Sequence, residues 1–468
     1  MPRRNLVVIL IAALLSLLCY HRAARNRFAA TFAEAMNHVT AEYVDDVEPR
    51  ALFEGAMNGM MDQLDMYSGY TSPQQKAQFD KQLDGEFPGV GFILEVDEKT
   101  NRLTILSPLV GTPAHKAGLE SGDVILAING HEAANLTLEQ AIEQIKGPVG
   151  STVKLLIERG EVKKEYELER EIVYLESVQG DIRLSDGTWM FRLVEHPRIG
   201  YLRVTNFGKR TEEEFKAALE SFEKPGNPID GLIIDLRGNS GGLLSAAVGI
   251  CDMLLDEGLI VSTRGRNKVE KASYSAWAGV ELSKDIPIVV MVDRSSASAS
   301  EIVAACLQDH QRAVVVGQRT WGKGTVQNVI DLEGGKSAIR FTIATYWRPS
   351  GKDIHKRRLS KDSDDWGVRP DPGLEVILTK QQFEKKVKAR QRRDMITLED
   401  LKKEKREIAE REIAASEPTP VPGAPPVPVP DPAEEAADSP FIDDPQLDMA
   451  VEYLQGVGEK AKETQRAS

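Results

Sequence analysis

Between about Glu171 and Leu378 the chain alternates short apolar runs with amphipathic stretches, a pattern that few architectures can satisfy. Gly200–Val204, Gly231–Asp235, Ile286–Val292 and Ala313–Val316 read as strands. Thr211–Phe222 and Leu243–Leu255 carry helical spacing. Strand and helix in turn predict an α/β core over residues 171–378.

The flanking segments differ in character. Residues 28–84 place Phe32, Met36, Val39 and Tyr43, then Leu52, Met57, Met60 and Leu64, at helical spacing, which predicts a helical cap or dimerisation region. Residues 85–170 read as one small domain of short strands with helical segments near Pro113–Ala117 and Leu138–Ile145. Residues 379–415, dominated by Lys, Arg, Glu and Gln, predict an exposed charged helix. Residues 416–440 form a Pro-rich linker that cannot pack a core, and within residues 441–468 Leu447, Ala450, Val451 and Leu454 mark a short docking helix.

The N-terminus points to export. Arg3 and Arg4 precede an apolar run from Leu6 to Cys19. Its fourteen residues span about 21 Å as a helix, short for a bilayer crossing and right for a signal sequence. Residues 1–27 are expected to be a signal peptide or a membrane anchor, with the body on the periplasmic side, anchored or secreted. Leu18 is too bulky for a lipoprotein-type site before Cys19, which favours the uncleaved anchor.

Charge and cysteine usage exclude other classes. Lys and Arg number 59 against 72 Asp and Glu, a net charge of -13, and nucleic-acid binding rests on neutralising phosphates. Cys19, Cys251 and Cys306 have no metal-ligand spacing, and no two of the seven histidines do either. No metal or cofactor is therefore expected, and Cys251 and Cys306 read as small buried hydrophobes.

Two stretches carry chemistry. Ser298, in Ser296-Ala297-Ser298-Ala299-Ser300-Glu301, follows a strand, with Ser300 suited to cap the helix after it. A serine there can be exposed beside helix-start N–H groups able to stabilise an oxyanion. Lys323 lies 25 residues on, between Gly322 and Gly324. Alone, either stretch is accounted for by an ordinary turn or a solvated loop. Together they are the parts of a serine nucleophile with an amine base, provided burial lowers the lysine's pKa from about 10.4.

The loop Gly317–Gly324 nearly matches a phosphate-binding loop, but Gly324 replaces the magnesium-binding hydroxyl and a strand-like run, Thr325–Ile330, follows where a helix is required. His310 is a poor partner for Ser298, since twelve residues of helix carry it about 18 Å away. Arg237-Gly238-Asn239-Ser240-Gly241-Gly242, after another strand, offers glycines for close backbone approach to a reacting carbonyl.

These motifs, SASASEIVAACLQD, GQRTWGKGTVQ and IIDLRGNSGG, with YWRPSGKDI and GVRPDP further on, resemble the carboxyl-terminal processing, or tail-specific, serine proteases. The resemblance covers most of residues 30–378. It implies Ser298 as nucleophile, Lys323 as base, Gln327 as the lysine's supporter, and the N–H groups of Ala299 and of Gly241 or Gly242 as oxyanion hole. It further implies a mixed-sheet core of the crotonase and Clp-protease type with an inserted PDZ domain. In that domain Gly89, Val90, Gly91 and Phe92 would receive the carboxylate of an apolar substrate tail, which adds as a strand beside Phe92–Val96. Departures include Ser240 where the family usually has proline and Trp321 where phenylalanine is common. The expected function is that of a serine endopeptidase acting on protein or peptide substrates chosen by their C-termini, with a homo-oligomer open; the alternative is an inactive PDZ scaffold that only binds tails.

Overall fold

The computed structural model describes residues 3–23, 27–76, 86–97, 100–109, 111–134, 136–224, 226–357, 359–416 and 443–467. The chain divides into two units, one of Met1–Ala77 with Gln327–Thr342 and one of Gln78–Val326 with Ile343–Ser468.

In the first unit the N-terminal run forms a helix, Arg3–Ala23, and helices Arg27–Glu42 and Pro49–Met61 follow. Among the described residues no helix is long and apolar enough to cross a membrane. Pro49 opens its helix where a missing N–H costs nothing. Arg50 then reaches Glu54 at 2.7 Å, the Tyr70 hydroxyl at 2.7 Å and Glu333 at 2.5 Å, while Phe53 packs edge-on against Tyr70. Strand Gly69–Thr71 pairs antiparallel with residues 338–340.

The second unit contains the small domain and the α/β core. The small domain is an antiparallel sheet in the order Phe92–Val96, Leu103–Pro108, Val124–Ile128, Thr152–Arg159, Val162–Glu169, so Phe92–Val96 is an edge. Its helix Leu138–Ile145 starts at a reciprocal Thr137–Gln140 cap and buries Ala141 and Ile145. Strand Glu86–Gly89, leading into the domain, pairs with Glu171–Tyr174, leading out.

In the core the strands run Val178–Gln179, Ile199–Val204, Gly231–Asp235, Ile288–Val292, Ala313–Gly317; the first pair is antiparallel and the rest are parallel. Side-chain alternation sends Leu232, Ile234, Val290 and Val292 to one face, against helices Thr211–Glu223, Leu244–Leu254 and Ala299–Asp309. Ile233, Val289, Met291 and Val316 go to the other, against Ala450, Val451 and Leu454 of helix Pro445–Ala467. Both faces are thus covered, which is why these strands read as unbroken apolar runs. Cys251 and Cys306 are buried in the first layer as free thiols.

Residues 379–415 depart from the predicted single exposed helix. They form two helices, Lys380–Met395 and Leu398–Ser416, and bury Lys386, Ala389 and Arg393. Arg393 meets Asp181 at 2.5 Å and Glu195 at 3.0 Å, and Arg390 meets Asp181 at 3.2 Å. Docking by ion pairs leaves no apolar period, so hydropathy cannot see it. The docking helix predicted near the C-terminus forms and is longer than expected, while the Pro-rich linker lies almost wholly outside the described residues.

Candidate active site

Three loops leave the carboxyl ends of three adjacent parallel strands, where crevices of open α/β sheets form. Register sets Asp235 beside Met291 and Val292 beside Gly317, so the loops starting at Leu236, Asp293 and Gln318 are neighbours.

Asn239, fully buried, joins the first two. Its side chain donates to the Val204 carbonyl at 2.8 Å and accepts the Gly241 N–H at 2.8 Å. Its own carbonyl accepts the Ala297 N–H at 3.0 Å and the Ser300 hydroxyl at 2.9 Å. Ser300 therefore ties loops together; Ser298 holds the N-cap position that the sequence assigned to Ser300. The reason is backbone geometry: Ser298 has φ 58° and ψ -112°, so the chain turns sharply there and the helix starts one residue on. Such a conformation in a non-glycine residue costs on the order of 1–3 kcal/mol and persists only where its surroundings enforce it.

The Gly241 backbone is part of that enforcement. A Cβ there would lie 2.8 Å from the Ser298 Cβ and 2.7 Å from the Ala297 carbonyl, so only glycine fits. Its N–H is committed to the Asn239 side chain.

Glu301, which in the sequence reads only as a helical position, links the loops that carry Ser298 and Lys323. Glu301 is fully buried one turn into the helix. One of its oxygens accepts the Thr320 hydroxyl at 2.6 Å and the Gly322 N–H at 2.6 Å. The other accepts the Ser298 N–H and the Lys323 N–H, each at 2.8 Å. A single carboxylate thus holds the backbones of Ser298 and Lys323 to one point. Burial pushes its pKa up to about 7, against the four hydrogen bonds that favour the charged form. A capping-box spacing, serine followed three residues later by glutamate, was the available signal.

Trp321 N–H donates to the Ser296 carbonyl at 3.0 Å, a second stitch between the loops, and Lys323 and Ser298 are both half-buried. Gln327 belongs to the first unit, where its carboxamide lies 3.5 Å from the Thr342 hydroxyl. His310 sits at the far end of the helix with Nε2 on the Leu259 carbonyl at 2.7 Å.

In the small domain, Gly89, Val90, Gly91 and Phe92 line a groove of about 320 Å³ with Ile93, Leu94, Leu109, Ile142, Ile145, Lys146, Val173 and Leu175. The groove runs between the free edge of Phe92–Val96 and the helix Leu138–Ile145. Gly91 has φ 80°, and a Cβ there would overlap Thr112, whose hydroxyl joins the Leu109 N–H in donating to the Gly91 carbonyl.

Residues 198–371 match the model of peptidase family S41, and residues 80–158 that of the PDZ domain. The chain is 35% identical over 375 residues to a carboxy-terminal-processing protease of Bartonella bacilliformis, covering 78% of this chain and 82% of that one. It is 34% identical over 339 residues to the carboxy-terminal processing protease CtpB of Bacillus subtilis, covering 72% and 67%. Among solved structures it is 29% identical to a photosystem II D1 C-terminal processing protease, with a TM-score of 0.41 and coverage of 74% and 86%.

Proposed function

Because the chain belongs to the carboxy-terminal processing proteases of peptidase family S41, we propose that Ser298 and Lys323 are the nucleophile and general base of its hydrolytic reaction. The observation that carries this reading is the Glu301 carboxylate bonded to the backbone of both residues. Lys323, as the neutral amine, takes the Ser298 proton as Oγ attacks the scissile carbonyl. The oxygen then acquires negative charge and is met by the N–H groups of Gly242 and Ala299, at the start of the helix. The lysine ammonium returns its proton to the leaving amine, and water releases the acyl group by the reverse sequence. The test is cleavage of a tailed protein substrate by the full chain with Ser298→Ala in parallel; undiminished cleavage by that variant ends the reading.

Gln327 acts as an orienting partner of the lysine. Gln327→Ala should then lower kcat by about 10²-fold or less, the scale of a general-base contribution, with little change in KM. A parental kcat for a folded Gln327→Ala chain removes it from the site.

Substrates are selected through the groove lined by Gly89–Phe92, in which an apolar C-terminal segment pairs with the edge of Phe92–Val96 and its carboxylate meets loop N–H groups. The full chain carrying Ser298→Ala should bind a peptide with a free apolar C-terminus and lose most of that affinity when the terminus is amidated. Gly91→Val should weaken binding similarly, since its Cβ meets Thr112 and its φ is one that β-branched residues avoid. Equal affinity for free and amidated peptides would show that the groove does not read tails. The apolar run from Leu6 to Cys19 supports an activity outside the cytoplasm, testable by protease accessibility of the full chain in intact cells.

A further inference from the structure

We infer that Asp444, in the segment after the Pro-rich linker, is a positioning residue that acts through Arg237 on the loop carrying Gly241 and Gly242; the inference rests on the reading of that loop as the oxyanion-binding element. Arg237 is almost fully buried directly ahead of the loop, and its guanidinium bonds to acids far apart in the sequence. Nε and Nη2 donate to Asp235 at 2.9 and 2.6 Å. Nη1 donates to Asp444 at 2.9 Å and to the Gln446 side-chain carbonyl at 3.0 Å. Asp444 is itself buried, and the same oxygen accepts the N–H groups of Gln446 and Leu447, so one carboxylate caps the terminal helix and anchors the arginine. The Gln446 amide donates to the Val376 carbonyl at 2.8 Å, fixing the far side. Lys386, buried on the adjoining helix, lines the same cavity as Asp235 and Asp444.

The path from Arg237 to the reacting atoms is short. The next residue, Gly238, donates its N–H to Asp293, and Asn239 then holds Gly241, Ala297 and Ser300. A cavity of about 220 Å³ lies behind this path, lined by Arg237, Gly238, Asp293, Ser295, Lys386 and Asp444 among others. Without Asp444 the guanidinium has one carboxylate instead of two and space to swing into, carrying Gly238 and Asn239 with it. The terminal helix thus does more than cover the sheet with Ala450, Val451 and Leu454. It clasps the loop that meets the oxyanion.

Asp444→Asn in the full chain retains a helix-capping acceptor and the apolar packing while removing the charge that holds Arg237. With rates expressed per serine titrated by a fluorophosphonate, so that a misfolded fraction drops out, kcat should fall about 10-fold and KM should stay within twofold. This is less than the 10²–10³ of deleting an oxyanion donor outright. Asp444→Glu should recover part of the loss, which a purely structural role for the segment does not predict. Arg237→Gln combined with Asp444→Asn should be no slower than Arg237→Gln alone, because both act through one contact. A kcat for Asp444→Asn within twofold of the parent, or an additive double variant, overturns the inference. If Ser298→Ala is inactive while Asp444→Asn is parental, only the clasp fails; if Ser298→Ala cleaves normally, the reading beneath it fails as well.

Discussion

Ser298→Ala and Lys323→Ala are each expected to lower peptide cleavage by about 10³-fold or more in chains that remain folded. Members of a nucleophile–base pair act as a unit, so losing either removes nearly the whole chemical contribution and leaves only what binding and the oxyanion donors supply. The fold should survive because neither side chain anchors the core. Both are half-buried, and the bonds that organise their loops are made by backbone N–H groups that alanine retains. Removing Ser298 Oγ also leaves its strained backbone in place, since Gly241 and Glu301 impose that conformation from outside. The measurement is steady-state cleavage with circular dichroism and thermal melting on each variant. A folded Lys323→Ala chain with parental activity would exclude the lysine as base and direct attention to another proton acceptor near Ser298. The double variant should be no worse than either single one, the signature of a shared step.

The core was legible in the sequence because its parallel strands are buried on both faces. Gly231–Asp235 and Ile288–Val292 stand out as unbroken apolar runs, and the turns after them carry the glycines and serines that a tight strand-to-helix connection needs. Ser298 and Lys323 stood out as candidates only in combination. Their juxtaposition depends on parallel register between Ile288–Val292 and Ala313–Gly317, a long-range property that no local pattern encodes. Strands Gly258–Arg264 and Glu270–Ala276 escaped notice because the latter alternates between half-buried and exposed positions without a strong apolar face. Arg390, Arg393 and Asp444 escaped for a different reason. Charged residues at helical spacing look like a solvated surface, and only the fold reveals the acids Asp181 and Glu195, or the base Arg237, that draw them inside.

Glu301 shows the same limit, and it carries the second large expected effect. Glu301→Gln should lower kcat by about 10²-fold or more and abolish the pH dependence expected of the parent chain near neutrality. The ionised carboxylate accepts all four donors, two on each oxygen. An amide, or a protonated carboxyl, points a donor of its own at one of those pairs and cannot hold the Ser298 and Lys323 backbones together. Misplacement of reacting groups by about 1 Å is enough for losses of this size. Burial raises this carboxyl from its ordinary value of 4.5 to about 7. A raised acid favours the protonated folded state, so its contribution to stability is full below about pH 4.5 and is lost as pH rises to about 7. At about 1.36 kcal/mol per pH unit this is on the order of 3 kcal/mol. Activity should move the opposite way, rising through pH 7 as the carboxylate forms and the clip closes. The parent chain is therefore expected to trade stability for activity across the same interval. Glu301→Gln should flatten the stability profile from urea unfolding between pH 4.5 and 7, and lose the limb of kcat near pH 7. An unchanged kcat in the Glu301→Gln chain, or a parent whose stability does not fall across that interval, would show that Glu301 is a capping residue and nothing more.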